Sequence, residues 1–119
     1  NIRWEKNVDE NRLTLLYQQS WLYVSMSLHE GFGVPACESI ANGTPAIYLQ
    51  CGGQESILNN LGMVPIDKKE NFADFIVDML NDDVKRRQLY QEQKVVVDNF
   101  ISPRIEEQIC EIYSKIIFK

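Results

Sequence analysis

Two carboxylates, Glu30 and Glu38, stand eight positions apart across the glycine-rich run Glu30-Gly31-Phe32-Gly33-Val34-Pro35. A lone loop acid is ordinarily a solvated one, so the informative feature is the pair together with what separates it. Gly31 and Gly33 allow close backbone approach or positive φ. Val34-Pro35 opens a helix, since proline near the first turn gives up an N–H that would be orphaned there in any case. Glu38 falls on the second turn of that helix, and helical side chains lean back toward the N-terminus, so Glu30 and Glu38 can face one ligand. The free N–H groups and positive dipole end at Val34 make an anion site suited to a pyrophosphate.

A second candidate follows at Cys51-Gly52-Gly53-Gln54-Glu55. Gly52 and Gly53 serve a turn, a ligand contact or both, and Glu55 either caps a short helix or reaches the same ligand. Other reactive residue types nearby read more plainly. His29 is a partly exposed neighbour of Glu30, and Ser27 caps the turn backbone, because no His–Asp arrangement accompanies it. Cys37 and Cys51 read as small buried hydrophobes. With Cys110 the cysteines are odd in number and lack metal-binding spacing, which points to a reducing, cytoplasmic setting without a disulfide framework or zinc.

The elements that must position these residues alternate between strand and helix. Ile2–Trp4 reads as a short strand, and Asp9 as the N-cap of a helix carrying Leu13, Leu16 and Tyr17 and ending near Ser20. Trp21–Val24 has the pattern of a central strand covered on both faces. The helix from Val34 to about Ala41 is stopped by Asn42-Gly43. Pro45–Leu49 is a second buried strand, a short helix spans Glu55–Leu58, and Gly62–Ile66 is a third strand. Phe72, Phe75, Ile76, Met79 and Leu80 form a core stripe at helical spacing. Further helices are expected at about Asp83–Asn99 and from Ser102, ahead of Pro103, to near Phe118. Such alternation implies right-handed crossovers and an α/β fold: a partial Rossmann-like three-layer α/β/α domain with a parallel sheet, followed by C-terminal helices. Ligands in these sheets sit outside the carboxyl ends of the strands, where the loops 25–33 and 50–54 lie.

With these motifs in order, the chain resembles the retaining, two-Rossmann-domain glycosyltransferases of family 4, the group 1 glycosyltransferases. Their mark is an EGFG-x-P-x-x-E motif, here Glu30 to Glu38, followed by Gly43-Thr44-Pro45 and by Gly52-Gly53-Gln54-Glu55. The resemblance implies that Glu38 binds the ribose hydroxyls of a nucleotide-diphosphate sugar. It implies that Glu30 holds the donor sugar and its developing charge, as the catalytic carboxylate. Backbone groups of Gly31, Phe32, Gly33 and Val34 would contact sugar and diphosphate, and no metal or other cofactor would be needed. It further implies that residues 1–119 are the C-terminal portion of a nucleotide-sugar-binding domain, with the acceptor domain and the first strands of the donor domain absent. The family's diphosphate-clamping Arg and Lys have no counterpart here, since Arg3 and Arg12 do not match their positions, so the isolated chain is expected to be inactive. Met26 and Ser39 replace the commoner Pro and Ala, while the polar spacing is intact. A nucleotide- or sugar-binding module without catalysis keeps the same motif.

Composition bounds the remaining classes. The 119 residues fit one domain, and 45% hydrophobic residues suffice for a core. Twelve Lys and Arg against 17 Asp and Glu give a net charge of −5, which offers no field for a nucleic acid. No apolar run approaches the roughly 20 residues of a membrane span. Lys85-Arg86-Arg87 reads as a solvated helix face, with peripheral contact to an anionic membrane as its functional counterpart. The open edge of the Trp21–Val24 strand is a place for self-association.

Overall fold

Asp9 caps helix α1 (Glu10–Gln19) by accepting from the Arg12 N–H at 2.7 Å, as its residue type leads one to expect. The computed structural model describes residues 1–101, 114 and 115. After α1 the order is β1 (Tyr23–Ser25), α2 (Val34–Ala41), β2 (Ala46–Leu49), α3 (Gln54–Ile57), β3 (Met63–Val64), a 3-10 turn (Ile66–Asn71), α4 (Phe72–Asn81) and α5 (Asp83–Ile101). The three strands are parallel in the order β1-β2-β3, with Val24 opposite Ile47 and Leu49 opposite Val64.

Strand β2 is the centre of the molecule, and all four of its residues are buried. Ala46 and Tyr48 face a cluster with Ala36, Cys37, Ile40, Leu58 and Val97, whereas Ile47 and Leu49 face Val64, Phe72 and Met79. Period-two alternation therefore divides one strand between two layers of helices, α2 and α3 on one face and α4 on the other. Each fully buried side chain of this size contributes roughly 1.5–3 kcal/mol, so β2 anchors both layers. Helix α5 reaches both clusters, Leu89 on one side and Val97 on the other. Between them Gln93, fully buried, accepts from Ala46 N–H at 2.9 Å and donates to the carbonyls of Ala46 and Leu61 at 2.8 and 2.9 Å. Its amide thus closes the amino end of β2, where a parallel sheet would otherwise leave backbone groups unpaired.

Several expectations need correction. Ile2–Trp4 is not a strand: among the described residues no sheet neighbour reaches it, and Ile2 and Trp4 are 85% and 84% exposed. Glu5, next in the chain, pairs with Arg3 and Arg12. The first strand begins at Tyr23 and lies at the edge of the three-stranded sheet, with Val24 exposed. Trp21 stays outside it, 66% exposed, with the Arg86 guanidinium 4.7 Å from its ring centroid. Strand β3 has two residues, because Ile66 already opens the 3-10 turn. So short a strand gives α4 little to pack on, and Phe75 and Leu80 of the expected core stripe remain exposed while Phe72 and Met79 are buried. The expected helix from Ser102 to near Phe118, and Cys110 with it, lies outside the described residues apart from the helical residues 114 and 115.

Candidate functional site

At the carboxyl end of β1 the chain turns through residues 26–33 and enters α2 from Gly33, whose φ of 72° is left-handed. Gly33 is the N-cap, no side chain caps the helix, and its first turn carries no acidic residue. The amino end of α2 therefore keeps its electropositive character, and Val34 begins the helix half-exposed. The expected proline position in the first turn is occupied by Pro35.

The loop after β2 packs directly on this one. Glu30 and Gly52 form a parallel backbone bridge. A Cβ added to Gly53 would fall onto the carbonyl oxygens of Glu30 and Gly31, and one on Gly33 onto the Gln54 side chain. The two loops interlock only because these positions lack side chains. Phe32 is fixed from a third direction, edge-on to Phe100 of α5 at 6.3 Å between centroids. Glu55 holds the second loop from inside, its carboxylate accepting from Cys51 N–H at 3.1 and 3.2 Å and from Gly52 N–H at 2.6 Å. Burial works to raise its pKa, but these backbone donors outweigh it and hold the carboxyl below the usual range. Glu55 thus ties down the Cys51–Gly52 backbone just ahead of α3, whose N-cap Gly53 has no side-chain cap.

Glu38 sits on α2 facing α1. Its Oε2 accepts from the Tyr17 hydroxyl at 3.1 Å, and both residues line a cleft of about 220 Å³ with Glu10, Leu13, Thr14 and Asn42. Acceptors predominate among these polar groups, so the cleft suits a hydroxyl-bearing ligand, whereas the start of α2 suits an anion. Tyr23 packs edge-on against Tyr17 at 6.2 Å between centroids and feels the charge of both carboxylates. Burial chiefly raises the pKa of its phenol, the Ser25 hydroxyl opposes this, and the charges of Glu30 and Glu38 both add to it. Glu30, Gly31, Phe32, Gly33, Gly52 and Gly53 thus lie together beyond the carboxyl ends of β1 and β2, with Val34 at the start of α2, whereas Glu38 opens on the separate cleft between α1 and α2.

Other expected residues take plain roles. Ser25, not Ser27, serves the turn, its Oγ accepting from Ser27 N–H at 3.4 Å. Cys37 is buried in the core, and burial pushes its thiol up. Lys85 is paired with Asp78, and Arg86 and Arg87 share Asp83, which offsets much of the charge of this basic run. Sequence reasoning missed Tyr17 as a polar member of the cleft.

The family described as glycosyl transferases group 1 matches residues 1–96. Among curated proteins, "Putative glycosyltransferase 48" of Sulfolobus islandicus filamentous virus (isolate Iceland/Hveragerdi) is 45% identical over 42 residues, 35% of this chain and 14% of its own length. The "UDP-N-acetylglucosamine--peptide N-acetylglucosaminyltransferase GtfA subunit" of Streptococcus agalactiae is 31% identical over 107 residues, covering 80% of this chain and 21% of the relative. The chain spans about a fifth or less of the length of these relatives. No solved structure gives a significant match. Among the described residues no helix is long and apolar enough to cross a membrane.

Proposed function

The chain belongs to the group 1 glycosyl transferases, and on that premise we propose that it forms the donor-binding part of a retaining enzyme of family 4. A sugar passes from a nucleotide-diphosphate donor to an acceptor hydroxyl. Glu38 takes the ribose hydroxyls in the cleft between α1 and α2. The uncapped start of α2 faces the diphosphate, whose leaving charge it stabilises, and Glu30 supports the sugar as it becomes oxocarbenium-like. Neither carboxylate is a nucleophile in this reading.

The observation that carries the reading is the interlock of the Glu30–Gly33 loop with Gly52 and Gly53 beside that free helix start. Helix α2 also carries an acceptor-rich cleft on its α1 side, and the pair of features supports a nucleotide-diphosphate sugar as the ligand. Arg3 and Arg12 pair with Glu5 and have no part in holding the diphosphate in this reading. The streptococcal relative's named donor makes UDP-N-acetylglucosamine the first sugar nucleotide to test.

The test is proton NMR of the full-length protein incubated with UDP-N-acetylglucosamine, UDP-glucose, GDP-mannose and ADP-glucose. With water as the acceptor, one donor should be consumed and its sugar first released in the donor's anomeric configuration, before mutarotation. An inverted product contradicts the retaining assignment, and the absence of binding by all four contradicts the donor site.

A further inference from the structure

We infer that Tyr17 is a positioning residue for Glu38, its phenol donating to Oε2 at 3.1 Å and holding the carboxylate ready to accept ligand hydroxyls in the α1–α2 cleft. The inference rests on the donor reading of Glu38 given above. Glu38 is solvent-exposed on its helix, and an exposed glutamate samples several rotamers whose loss opposes ligand binding. Tyr17 is in the opposite situation. Its side chain is buried, its ring meets Tyr23 edge-on at 6.2 Å, and its carbonyl accepts from Ser20 N–H at 3.1 Å and from the Thr44 hydroxyl. A phenol anchored by ring and backbone is a fixed point from which the mobile carboxylate is oriented.

The bond has a direction that matters. A carboxylate only accepts, so the phenol must be the donor, and it occupies one acceptor direction of Oε2. Among the described residues Oε1 has no partner, which leaves it for a ligand hydroxyl. Burial, followed by the bond to Glu38 and the Glu38 charge, pushes the phenol's ionisation far above neutrality, so the donor persists across the working pH range. Preorganisation of this kind strengthens binding without adding any contact to the ligand.

The experiment compares UDP, GDP and ADP, and the 2′,3′-dideoxy form of whichever of them binds, by calorimetric titration of the full-length protein and of its Tyr17→Phe, Glu38→Ala and double variants. Tyr17→Phe keeps the ring and removes only the donor. It should weaken binding of the ribonucleotide about three- to tenfold, the size of one ordinary hydrogen bond. It should leave the dideoxy affinity unchanged, and it should add nothing in the Glu38→Ala background. A merely structural role for Tyr17 would lower both affinities together and so preserve their ratio. That result, or wild-type ribonucleotide affinity in Tyr17→Phe while Glu38→Ala is weakened, overturns the inference. Wild-type affinity in Glu38→Ala instead removes the donor reading on which it rests.

Discussion

The backbone of Glu30 is paired in parallel with that of Gly52, although the two lie in different loops after different strands. This bridge extends the β1–β2 pairing past the ends of the strands, and Gly53 lets the second loop lie directly on the carbonyls of Glu30 and Gly31. The position of the first carboxylate is thereby set by a residue type that carries no functional group.

Gly53→Ala tests that dependence. The added Cβ meets main-chain oxygens, which cannot rotate away as a side chain can. A loss of about 1–3 kcal/mol in urea unfolding is expected, in the range of overpacked sites. A stability change below a few tenths of a kcal/mol would show that the loops are not in contact.

Gln93→Leu keeps most of the volume of the side chain but abandons Ala46 N–H and the carbonyls of Ala46 and Leu61. Unpaired buried backbone groups cost more than the bond itself contributes, so a loss of about 3 kcal/mol is expected. Thermal unfolding at wild-type temperature would contradict the clamp.

Tyr48 provides the opposite case. Its hydroxyl is buried and lacks a hydrogen-bond partner among the described residues. Tyr48→Phe removes a desolvated donor and keeps the ring, so stability should stay level or rise by up to about 1 kcal/mol. A loss above 1 kcal/mol, read from urea midpoints, would reveal a partner for that hydroxyl.

The pH dependence of Glu55 has a definite sign. Its folded pKa lies below the ordinary value of 4.5, so the folded state binds this proton less well than the unfolded chain. The contribution is complete above the unfolded value and is lost as pH falls through the folded one. Wild-type stability measured from pH 6 downward should therefore fall more steeply than that of Glu55→Gln. Parallel curves would show that the carboxylate does not hold the Cys51–Gly52 turn.

Much of this arrangement was legible because its signals are local. Asp9, Pro35, Asn42-Gly43 and the Gly52-Gly53 turn each act within a few residues, and the structure places helix starts and stops beside them. Trp21 misled because a tryptophan next to Leu22 and Tyr23 looks like strand, yet its ring packs against an arginine 65 positions later. The bond from Tyr17 to Glu38 spans 21 positions and that from Gln93 to Ala46 spans 47. No periodicity encodes such contacts. A signal for Gln93 did exist, since it interrupts the apolar spacing Leu89, Gln93, Val97 on one helix face.

The most direct test of the donor site is the affinity of the full-length protein for its nucleotide, measured by titration calorimetry with UDP, GDP and ADP before and after Glu38→Ala. One of the three should bind the wild-type protein, and the variant should bind it with about 1.5–3 kcal/mol less free energy, the worth of a charge-assisted hydrogen bond. Equal affinity in the two proteins, with both folded, would contradict the assignment of Glu38 and with it the account of the site.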